Sequence, residues 1–248
     1  MPPSDLLWDG CVNVRDLGGQ PTEDGGETRF GVFVRADNVE RLTEAGWQAL
    51  VEYGVHTVID LRLEEERTGS VPDGLPLDLI HRPLLPDFGH PDWNEINALS
   101  LDTTPPASTW VVYIEFLERY RHRFGEAVAT IAEADGQGTV LFHCMGGKDR
   151  TGLVAALLLR LAGAERDAVA DDYALSGKNL AELHARWIAA ATSDEDRELR
   201  IRISMTPPEA MLAVLETLDE QYGGVEGYLR AAGVPARDLA GIRARLRG

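Results

Sequence analysis

The sequence predicts an α/β fold in which a central, mostly parallel sheet is flanked by helices and followed by a helical C-terminal third. Two apolar, strand-like runs, Val55–Leu61 and Gly138–Phe142, alternate with helical segments through the first two-thirds of the chain. Beyond residue 163 the apolar spacing is helical throughout. No internal repeat or low-complexity linker interrupts the 248 residues, so we expect a single domain over 1–248.

The first half of the chain predicts the strands and the helices that separate them. Thr43 is a residue type that caps helices, and it precedes an apolar stripe. Apolar residues at helical spacing over Val112–Ile131 predict one long helix, capped at Ser108 or Thr109 and broken by Gly136–Gly138. In chain order the predicted elements are a strand at Arg29–Val34, a helix from Thr43 to about Glu52, a strand at Val55–Leu61, a strand near Leu77–His81, a loop at Pro83–Asp92 and the long helix.

The last third predicts helices joined by short links. Thr206–Glu209 contains a cap followed by prolines, which is typical of a helix start. The predicted elements are helices at Leu153–Ala162, Arg166–Leu175 and Asn179–Ala190, a solvated link at Ser193–Arg197, a helix from Thr206–Glu209, and short helices at Val225–Ala232 and Ala236–Leu246.

The segment His143–Gly152 carries the clearest chemical signal. It follows a short buried strand, passes through a glycine-containing loop and enters an apolar helix. A loop that opens a helix N-terminus presents free backbone N–H groups and a positive dipole end, which together hold an oxyanion such as phosphate. A thiol inside such a loop is driven toward the thiolate. The pattern therefore predicts nucleophilic attack by sulfur on a phosphoryl group.

Each residue of this loop has a physical role in that interpretation. Cys144 is the predicted nucleophile, and Arg150 offers a planar fork that grips two phosphate oxygens. Gly146 and Gly147 lack Cβ atoms, so the backbone can adopt a positive φ and approach the anion closely. The hydroxyl of Thr151 is placed to hydrogen-bond the sulfur.

A buried structural thiol is the competing interpretation of Cys144. The agreement of strand, glycines, arginine and apolar helix favours the reactive role. Cys11 has none of these features, so we expect it to be a structural thiol. We expect His143 to order the loop rather than to act as a base, because an ionised thiol needs none.

Composition narrows the classes of partner. The net charge of −17 argues against nucleic acid or an anionic membrane as a general partner. Two cysteines, one of them in a reactive setting, predict a reducing compartment, and we expect the protein to be cytoplasmic. The start at 1–5 shows no signal peptide, no run approaches the length of a membrane span, and no cluster has metal-ligand spacing.

The loop resembles the signature of the cysteine-based protein tyrosine phosphatases, in the bacterial and fungal branch with the His-Cys-x-x-Gly-Lys-Asp-Arg-Thr-Gly form. The similarity runs from about residue 10 to the end. Val14 stands where an aromatic residue is common, and Gly146 where alanine is common. Further segments that match the branch are Asn13–Gly19, Val58–Arg62 followed by Glu66, and Tyr222–Leu229.

The resemblance implies a two-step reaction through a phosphocysteine, without cofactor or metal. The substrates it implies are phosphotyrosine proteins, and also phosphoserine, phosphothreonine or phosphoinositides, with inorganic phosphate as product. Asp149 resembles the general acid that lies inside the loop, although a carboxylate that only favours the helix dipole would also fit there. Asp87, in the loop at 83–92, is the alternative acid.

Further residues are assigned to substrate binding or to support by the same resemblance. Met145, Gly146, Gly147, Lys148 and Thr151 are expected to bind the phosphate within the loop. Lys148 adds charge for phosphate or for a second anionic group, or is simply solvated.

Outside the loop, Arg15 and Arg62 are expected to contact substrate. Asp16 and Asp60 are expected to support the site, either by holding an arginine in a charge-assisted pair, which we favour, or by touching substrate. The apolar stripe of Asn179–Ala190 either packs on the core or belongs to a movable helical lid, which the resemblance places around 178–205.

Two other classes of function stay open. A rhodanese-like sulfurtransferase also holds a cysteine in a strand-to-helix loop, but it does not require the Lys148–Gly152 sequence. A non-catalytic phospho-binding module is expected to lose Cys144 or Arg150, and both are present.

Overall fold

The computed structural model describes residues 5–101, 103–134 and 138–248. Within them the chain forms a mixed sheet with the strand order β1-β2-β5-β3-β4. Only the β1–β2 pair is antiparallel, so the predicted mostly parallel sheet is confirmed. The strands are β1 (Arg15–Asp16), β2 (Phe33–Ala36), β3 (Val55–Asp60), β4 (Asp78–His81) and β5 (Thr139–His143).

Strand β5 is central and aligns the ends of its neighbours. His143, its last residue, is paired in register with Ala36 of β2 and with Asp60 of β3. The residues that follow these strands therefore meet at one edge of the sheet. The carboxyl edge of parallel strands is where α/β folds place their ligands.

Helices cover both faces of the sheet, and the helical C-terminal third is confirmed. Their bounds are α1 (Glu44–Glu52), α2 (Asp92–Leu101), α3 (Ala107–Arg119), α4 (Arg121–Glu133), α5 (Asp149–Leu161), α6 (Arg166–Asn179), α7 (Ala181–Ala189), α8 (Asp194–Ser204), α9 (Pro208–Tyr222), α10 (Val225–Ala231) and α11 (Ala236–Arg247).

The core lies in two parts, one on each face of the sheet. Val140 and Phe142 of β5 belong to the larger part, with α3 to α6 and α9 to α11. Leu141, whose side chain points the opposite way, belongs to the smaller part with Trp47 and Leu50 of α1. Thr43 caps α1 as predicted, accepting a hydrogen bond from the Gly46 N–H.

Several predicted boundaries in the first half are wrong. The strand predicted at Arg29–Val34 begins only at Phe33, because Gly31 turns the chain with φ of +75°. The long helix predicted over Val112–Ile131 is two helices that break at Tyr120, whose ψ of 24° is not helical. Its first cap is Pro106 rather than Ser108 or Thr109. Helix α2 occupies a stretch for which no element was predicted, and Gly136 lies outside the described residues.

The link predicted at Ser193–Arg197 is also wrong, since it is the start of a helix. Ser193 is the N-cap of α8, and its side chain accepts a hydrogen bond from the Asp196 N–H. Helix α6 extends to Asn179, beyond the predicted end at Leu175. In the parts of the chain that the structure describes, no helix is both long and apolar enough to cross a membrane.

Candidate active site

The motif loop lies at the carboxyl edge of the sheet. Cys144 directly follows β5 and is 2% exposed, and α5 begins at Asp149. The backbone N–H groups in the first turn of α5 have no partner within the helix, as at any helix start. The loop therefore combines a buried thiol with the positive end of a helix, as the sequence predicted.

One of the two loop glycines is required by the backbone. Gly147 has φ of +64°, and a Cβ there would lie 2.5 Å from the Ala36 carbonyl oxygen. Gly146 does not have a positive φ, contrary to prediction, and a Cβ there would make only ordinary contact with Leu180 Cδ1 at 3.7 Å. A side chain is therefore excluded at position 147 but not at 146.

Arg150 is clamped by Glu66, a residue that the sequence did not assign to the site. Arg150 Nη2 donates to Glu66 Oε1 at 2.7 Å, and Nη1 donates to Oε2. Burial lowers the pKa of Arg150, but the Glu66 carboxylate and the nearby Cys144 more than offset it, so the pKa lies above its usual value. The sequence did contain one signal for the Arg150–Glu66 pair: Glu66 follows Asp60–Arg62 at the position where the phosphatase branch described above also has a glutamate.

Asp149 stands at the mouth of the loop with two partners. The Tyr113 hydroxyl donates to Asp149 Oδ1 at 2.5 Å, and Lys148 Nζ lies 3.1 Å from the same oxygen. Burial, together with the negative charge of Asp149, raises the pKa of Tyr113 well above its usual value. Tyr113 therefore remains a hydrogen-bond donor, and it fixes the carboxyl beside the loop.

A cavity of about 470 Å³ opens next to these charged residues. Its charged lining residues are Glu66, Lys148, Asp149, Arg150 and Arg202. The rest is mainly apolar and aromatic, supplied by α2, α3, α8 and the chain before α2; among its walls are Leu63, Leu85, Phe88, Trp93, Val112, Tyr113, Phe116, Leu199 and Ile203.

Asp87, the alternative acid, is not brought into this site. Its side chain is exposed and does not line the cavity, whereas Leu85 and Phe88 on either side of it do. Its backbone carbonyl accepts a hydrogen bond from Trp93 Nε1 at 3.1 Å. Among the two candidate acids, the structure places only Asp149 against the loop.

Arg62 is not free to bind substrate. Its side chain is 1% exposed, and it pairs with Glu40 Oε1 at 2.7 Å and with Asp60 Oδ2 at 2.7 Å. Burial raises the pKa of Asp60, but the hydrogen bonds from Arg62 outweigh that effect and lower it to about 2. The substrate contact predicted for Arg62 is therefore wrong. Asp60 holds this arginine in a charge-assisted pair, which is the role that we favoured for Asp60.

Arg15 is likewise fully buried, beneath the loop rather than at its mouth. Arg15 Nε donates to Asp172 Oδ1 at 2.7 Å. Asp16 points to other turns: its carboxylate accepts hydrogen bonds from the Gly18 N–H at 2.6 Å and the Gly31 N–H at 2.8 Å. Asp16 thus supports the turns around β1 and holds no arginine.

His143 and Thr151 lie at the base of the loop. Burial lowers the pKa of His143 to about 4, so its ring is neutral at neutral pH, and Nδ1 lies 3.2 Å from the Cys144 carbonyl oxygen. This fits an ordering role. The Thr151 hydroxyl is buried, and no described residue hydrogen-bonds it, so the bond predicted between it and the Cys144 sulfur is not formed in this structure.

Cys11, the second thiol, is buried with its Sγ 3.4 Å from the Asn38 carbonyl oxygen. Burial, reinforced by the Asp37 charge, raises its pKa far above the usual value. It is therefore expected to be unreactive at neutral pH.

Helices α7 and α8 form a hairpin over the loop. Neither helix contains a fully buried residue. Lys148 Nζ donates to the Ile203 carbonyl of α8, and Met145, 41% exposed, lies at the surface of the loop. Of the stripe at Asn179–Ala190, Leu180 is buried, whereas the part within α7 is not packed into the core, and a lid around 178–205 stays a prediction.

Among the described residues, no group of three or more histidine, cysteine, aspartate or glutamate side chains is placed to hold a metal ion. The charges of Arg150 and Arg35 act on Cys144, the helix dipole of α5 begins beside it, and Lys148 and Asp149 lie at the start of that helix. This arrangement can bind a tetrahedral oxyanion, attack it with sulfur and exchange a proton with a leaving oxygen.

Comparisons with known protein sequences agree with this chemistry, since the matching proteins are phosphatases. Residues 6–248 match the tyrosine phosphatase family. The chain is 32% identical to a tyrosine-protein phosphatase of Nostoc commune, over 86% of this chain and 74% of the relative. It is 30% identical to the triple specificity protein phosphatase PtpB of Mycobacterium tuberculosis, over 96% and 98%. A putative tyrosine-protein phosphatase of Cupriavidus necator is 29% identical, over 92% and 84%.

Proposed function

Because the chain belongs to the tyrosine phosphatase family, we propose that Cys144 and Arg150 carry the hydrolysis of a phosphotyrosine ester in this protein. The observation that carries the proposal is that Lys148, Asp149 and Arg150, which follow the buried Cys144 in the motif loop, line a cavity with aromatic walls. A phosphoryl group bound in the loop leaves its aromatic ring in that cavity.

The reaction proceeds in two steps. The Cys144 thiolate attacks phosphorus and forms an S–P bond as the P–O ester bond breaks, and Asp149 gives its proton to the departing phenolate. Asp149, now a carboxylate, then takes a proton from water as the water oxygen attacks the phosphocysteine. Inorganic phosphate leaves and the thiolate is restored. Arg150 and the loop N–H groups hold the equatorial oxygens throughout.

The cavity favours an aromatic leaving group over an aliphatic one. Tyr113, Phe116 and Trp93 present ring surface to the space beside Asp149. Aromatic rings prefer edge and offset contacts with one another, which stabilise a bound phenyl group by about 0.5–1.5 kcal/mol per pair beyond burial. Phosphoserine, phosphothreonine and phosphoinositides carry no aromatic ring at this position, and we propose them as secondary substrates.

A substrate panel tests this proposal. We expect phosphate release from a phosphotyrosine peptide with the highest kcat/KM, followed by the matched phosphoserine peptide and phosphoinositide vesicles. Thiosulfate turnover serves as the control for a rhodanese-like activity. Sulfur transfer without phosphate release would replace the phosphatase by the sulfurtransferase, and binding without any turnover would indicate a phospho-binding module.

A second prediction concerns Asp149. Changing it to asparagine removes the proton donor but keeps the side-chain shape, so hydrolysis of phosphotyrosine should slow by about 100-fold or more. An aryl phosphate with a low-pKa leaving group needs less protonation and should slow far less. The measurement is kcat/KM, which reports the first step and not the hydrolysis of the phosphocysteine, for a series of aryl phosphates plotted against leaving-group pKa.

The matched control is Asp87→Asn, which changes the exposed alternative acid and leaves the loop intact. Its plot should follow that of the unmodified protein. A steep dependence on leaving-group pKa in the Asp87 variant alone would transfer the acid role to the loop before α2.

Further features belong to the same proposal. We place the enzyme in the cytoplasm as a single domain over 1–248, since both thiols are free and a reactive Cys144 needs reducing conditions.

Burial, followed by the Lys148 charge, lowers the pKa of His184 on α7, which supports the closeness of that helix to the loop. We propose that 178–205 opens to admit protein substrates.

A further inference from the structure

A fully buried charged cluster lies beneath the phosphate loop, and the mechanism above does not use it. Arg15 and Arg35 are both 0% exposed, and Asp172 of α6 is 3% exposed between them. Arg15 Nε donates to Asp172 Oδ1 at 2.7 Å, and Arg35 Nη1 donates to Asp172 Oδ2. One carboxylate thus faces two guanidinium groups.

The free ends of this cluster terminate on the backbone of the loop. Arg35 Nη2 donates to the Gly147 carbonyl at 2.7 Å and lies 3.4 Å from the Lys148 carbonyl oxygen. The Gly146 carbonyl accepts from Asn13 Nδ2 at 2.9 Å, and Asn13 Oδ1 in turn accepts from Arg15 Nη1 at 2.7 Å. Consecutive carbonyls of the loop are therefore held from the protein interior.

The direction of these carbonyls matters for an anion. A carbonyl oxygen that rotated into the loop would turn its negative end toward phosphate and remove an N–H from it. Hydrogen bonds from a charged guanidinium are stronger than neutral ones, so Arg35 opposes that rotation more firmly than a neutral donor would.

Charge gives the cluster a second effect. Burial, with the neighbouring Arg15, lowers the pKa of Arg35 to about 10, so it is still protonated at neutral pH. Two cations against the Asp172 carboxylate carry an excess positive charge in the interior, where screening by solvent is weak, and the nearby Cys144 thiolate balances part of it. The loop is the adjoining place where a bound anion would balance that charge.

We propose that Arg35, oriented by Asp172 and Arg15, is a positioning residue for oxyanion binding. It holds the Gly147 carbonyl, and together with the Gly152 N–H also the Lys148 carbonyl, away from the phosphate site, and it supplies positive charge beneath that site. The inference rests on the proposed function, since it assigns the anion held in the loop to the phosphate of the substrate. A cluster that only joined β2 to α6 would not require hydrogen bonds to the carbonyls of the loop, and these bonds are present.

The test is Arg35→Gln, which retains a donor but removes the charge and the fork. Binding of inorganic vanadate and of phosphate is measured by competition and by calorimetry, together with kcat and KM for an aryl phosphate. We expect oxyanion affinity and kcat each to fall about 10- to 100-fold. Losses of that size are typical in metal sites when a residue that orients a direct ligand is removed, and Arg35 orients the phosphate-binding loop in the same indirect way.

Arg245→Gln is the matched control for general destabilisation. Arg245 also donates to backbone carbonyls, those of Ala134 at 3.0 Å and Gly138 at 3.2 Å, at the opposite end of β5. The folded fraction of both variants is measured by thermal unfolding. With Arg245→Gln, oxyanion affinity and kcat should stay within threefold of the unmodified protein.

If Arg35→Gln does not fold, Asn13→Ser tests the same idea, because it releases the Gly146 carbonyl and one donor of Arg15, and besides these, among the described side-chain hydrogen bonds, only a 3.3 Å contact from Asn179 Nδ2. Folded variants with unchanged vanadate affinity and kcat would overturn the positioning role. An unmodified protein that neither binds oxyanions nor releases phosphate would instead overturn the proposed function, so the two failures are distinguishable.

Discussion

Replacement of Cys144 by serine is expected to lower kcat by at least about 10,000-fold while leaving phosphate binding largely intact. A serine hydroxyl is un-ionised at neutral pH and is a far weaker nucleophile than a thiolate. The loop N–H groups, Arg150 and the Glu66 clamp are unchanged in this variant, so the oxyanion site persists. Phosphate release from an aryl phosphate and vanadate binding by calorimetry are the two measurements.

Cys11→Ser is the matched control, since it makes the same atomic change at the other thiol. Cys11 is buried, and its sulfur faces the Asn38 carbonyl rather than the cavity. Its variant should keep full activity after correction for folded fraction. Appreciable turnover by the Cys144 variant, in a preparation free of other phosphatases, would remove Cys144 from the role of nucleophile.

Replacement of Arg150 by lysine should lower kcat/KM on the order of 100- to 1,000-fold. The charge is kept, but an ammonium cannot grip two equatorial oxygens and a carboxylate in one plane. The larger part of the loss should fall on kcat, because the equatorial oxygens are bound most tightly in the transition state. Steady-state kinetics on phosphotyrosine peptide and vanadate inhibition measure both parts.

Glu66→Gln provides the comparison that separates the fork from its clamp. Glutamine keeps one acceptor for Arg150 but loses the charged bidentate pair. We expect a loss smaller than that of the lysine variant, on the order of tenfold. Activity of Arg150→Lys within a few-fold of the unmodified protein would show that this arginine is not the phosphate clamp.

The elements that the sequence predicted well are those whose pattern is local. Val55–Asp60 and Thr139–His143 are strands rich in β-branched and apolar residues, and they are neighbours in the middle of the sheet. Helix α8 was not predicted from the sequence, because Leu199, Ile201 and Ile203 alternate with arginines. That spacing is typical of a strand. The structure leaves these apolar side chains 42–49% exposed on a helix, where no burial enforces a helical stripe.

The residues of the site also fall into those that a local pattern predicts and those that depend on distant contacts. The loop residues from Cys144 to Thr151 are contiguous, so their shared role was readable from spacing. The Arg15–Asp172 and Arg62–Glu40 pairs were not, because the partners lie 157 and 22 residues apart along the chain, whereas the arginine-holding role favoured for Asp60 is met by Arg62, two residues away. Which arginine meets substrate and which is held inside depends on tertiary contacts that one sequence does not display.

The Glu66 clamp has a consequence for the entropy of substrate binding. A free arginine side chain carries about 2 kcal/mol of rotamer entropy, which must be lost when it grips a ligand. At position 150 that freedom is already lost in the folded protein, because Glu66 Oε1 and Oε2 each accept from one terminal nitrogen. The Nε–H and one hydrogen on each terminal nitrogen remain for phosphate. Folding therefore bears a conformational cost that each encounter with substrate would otherwise repeat.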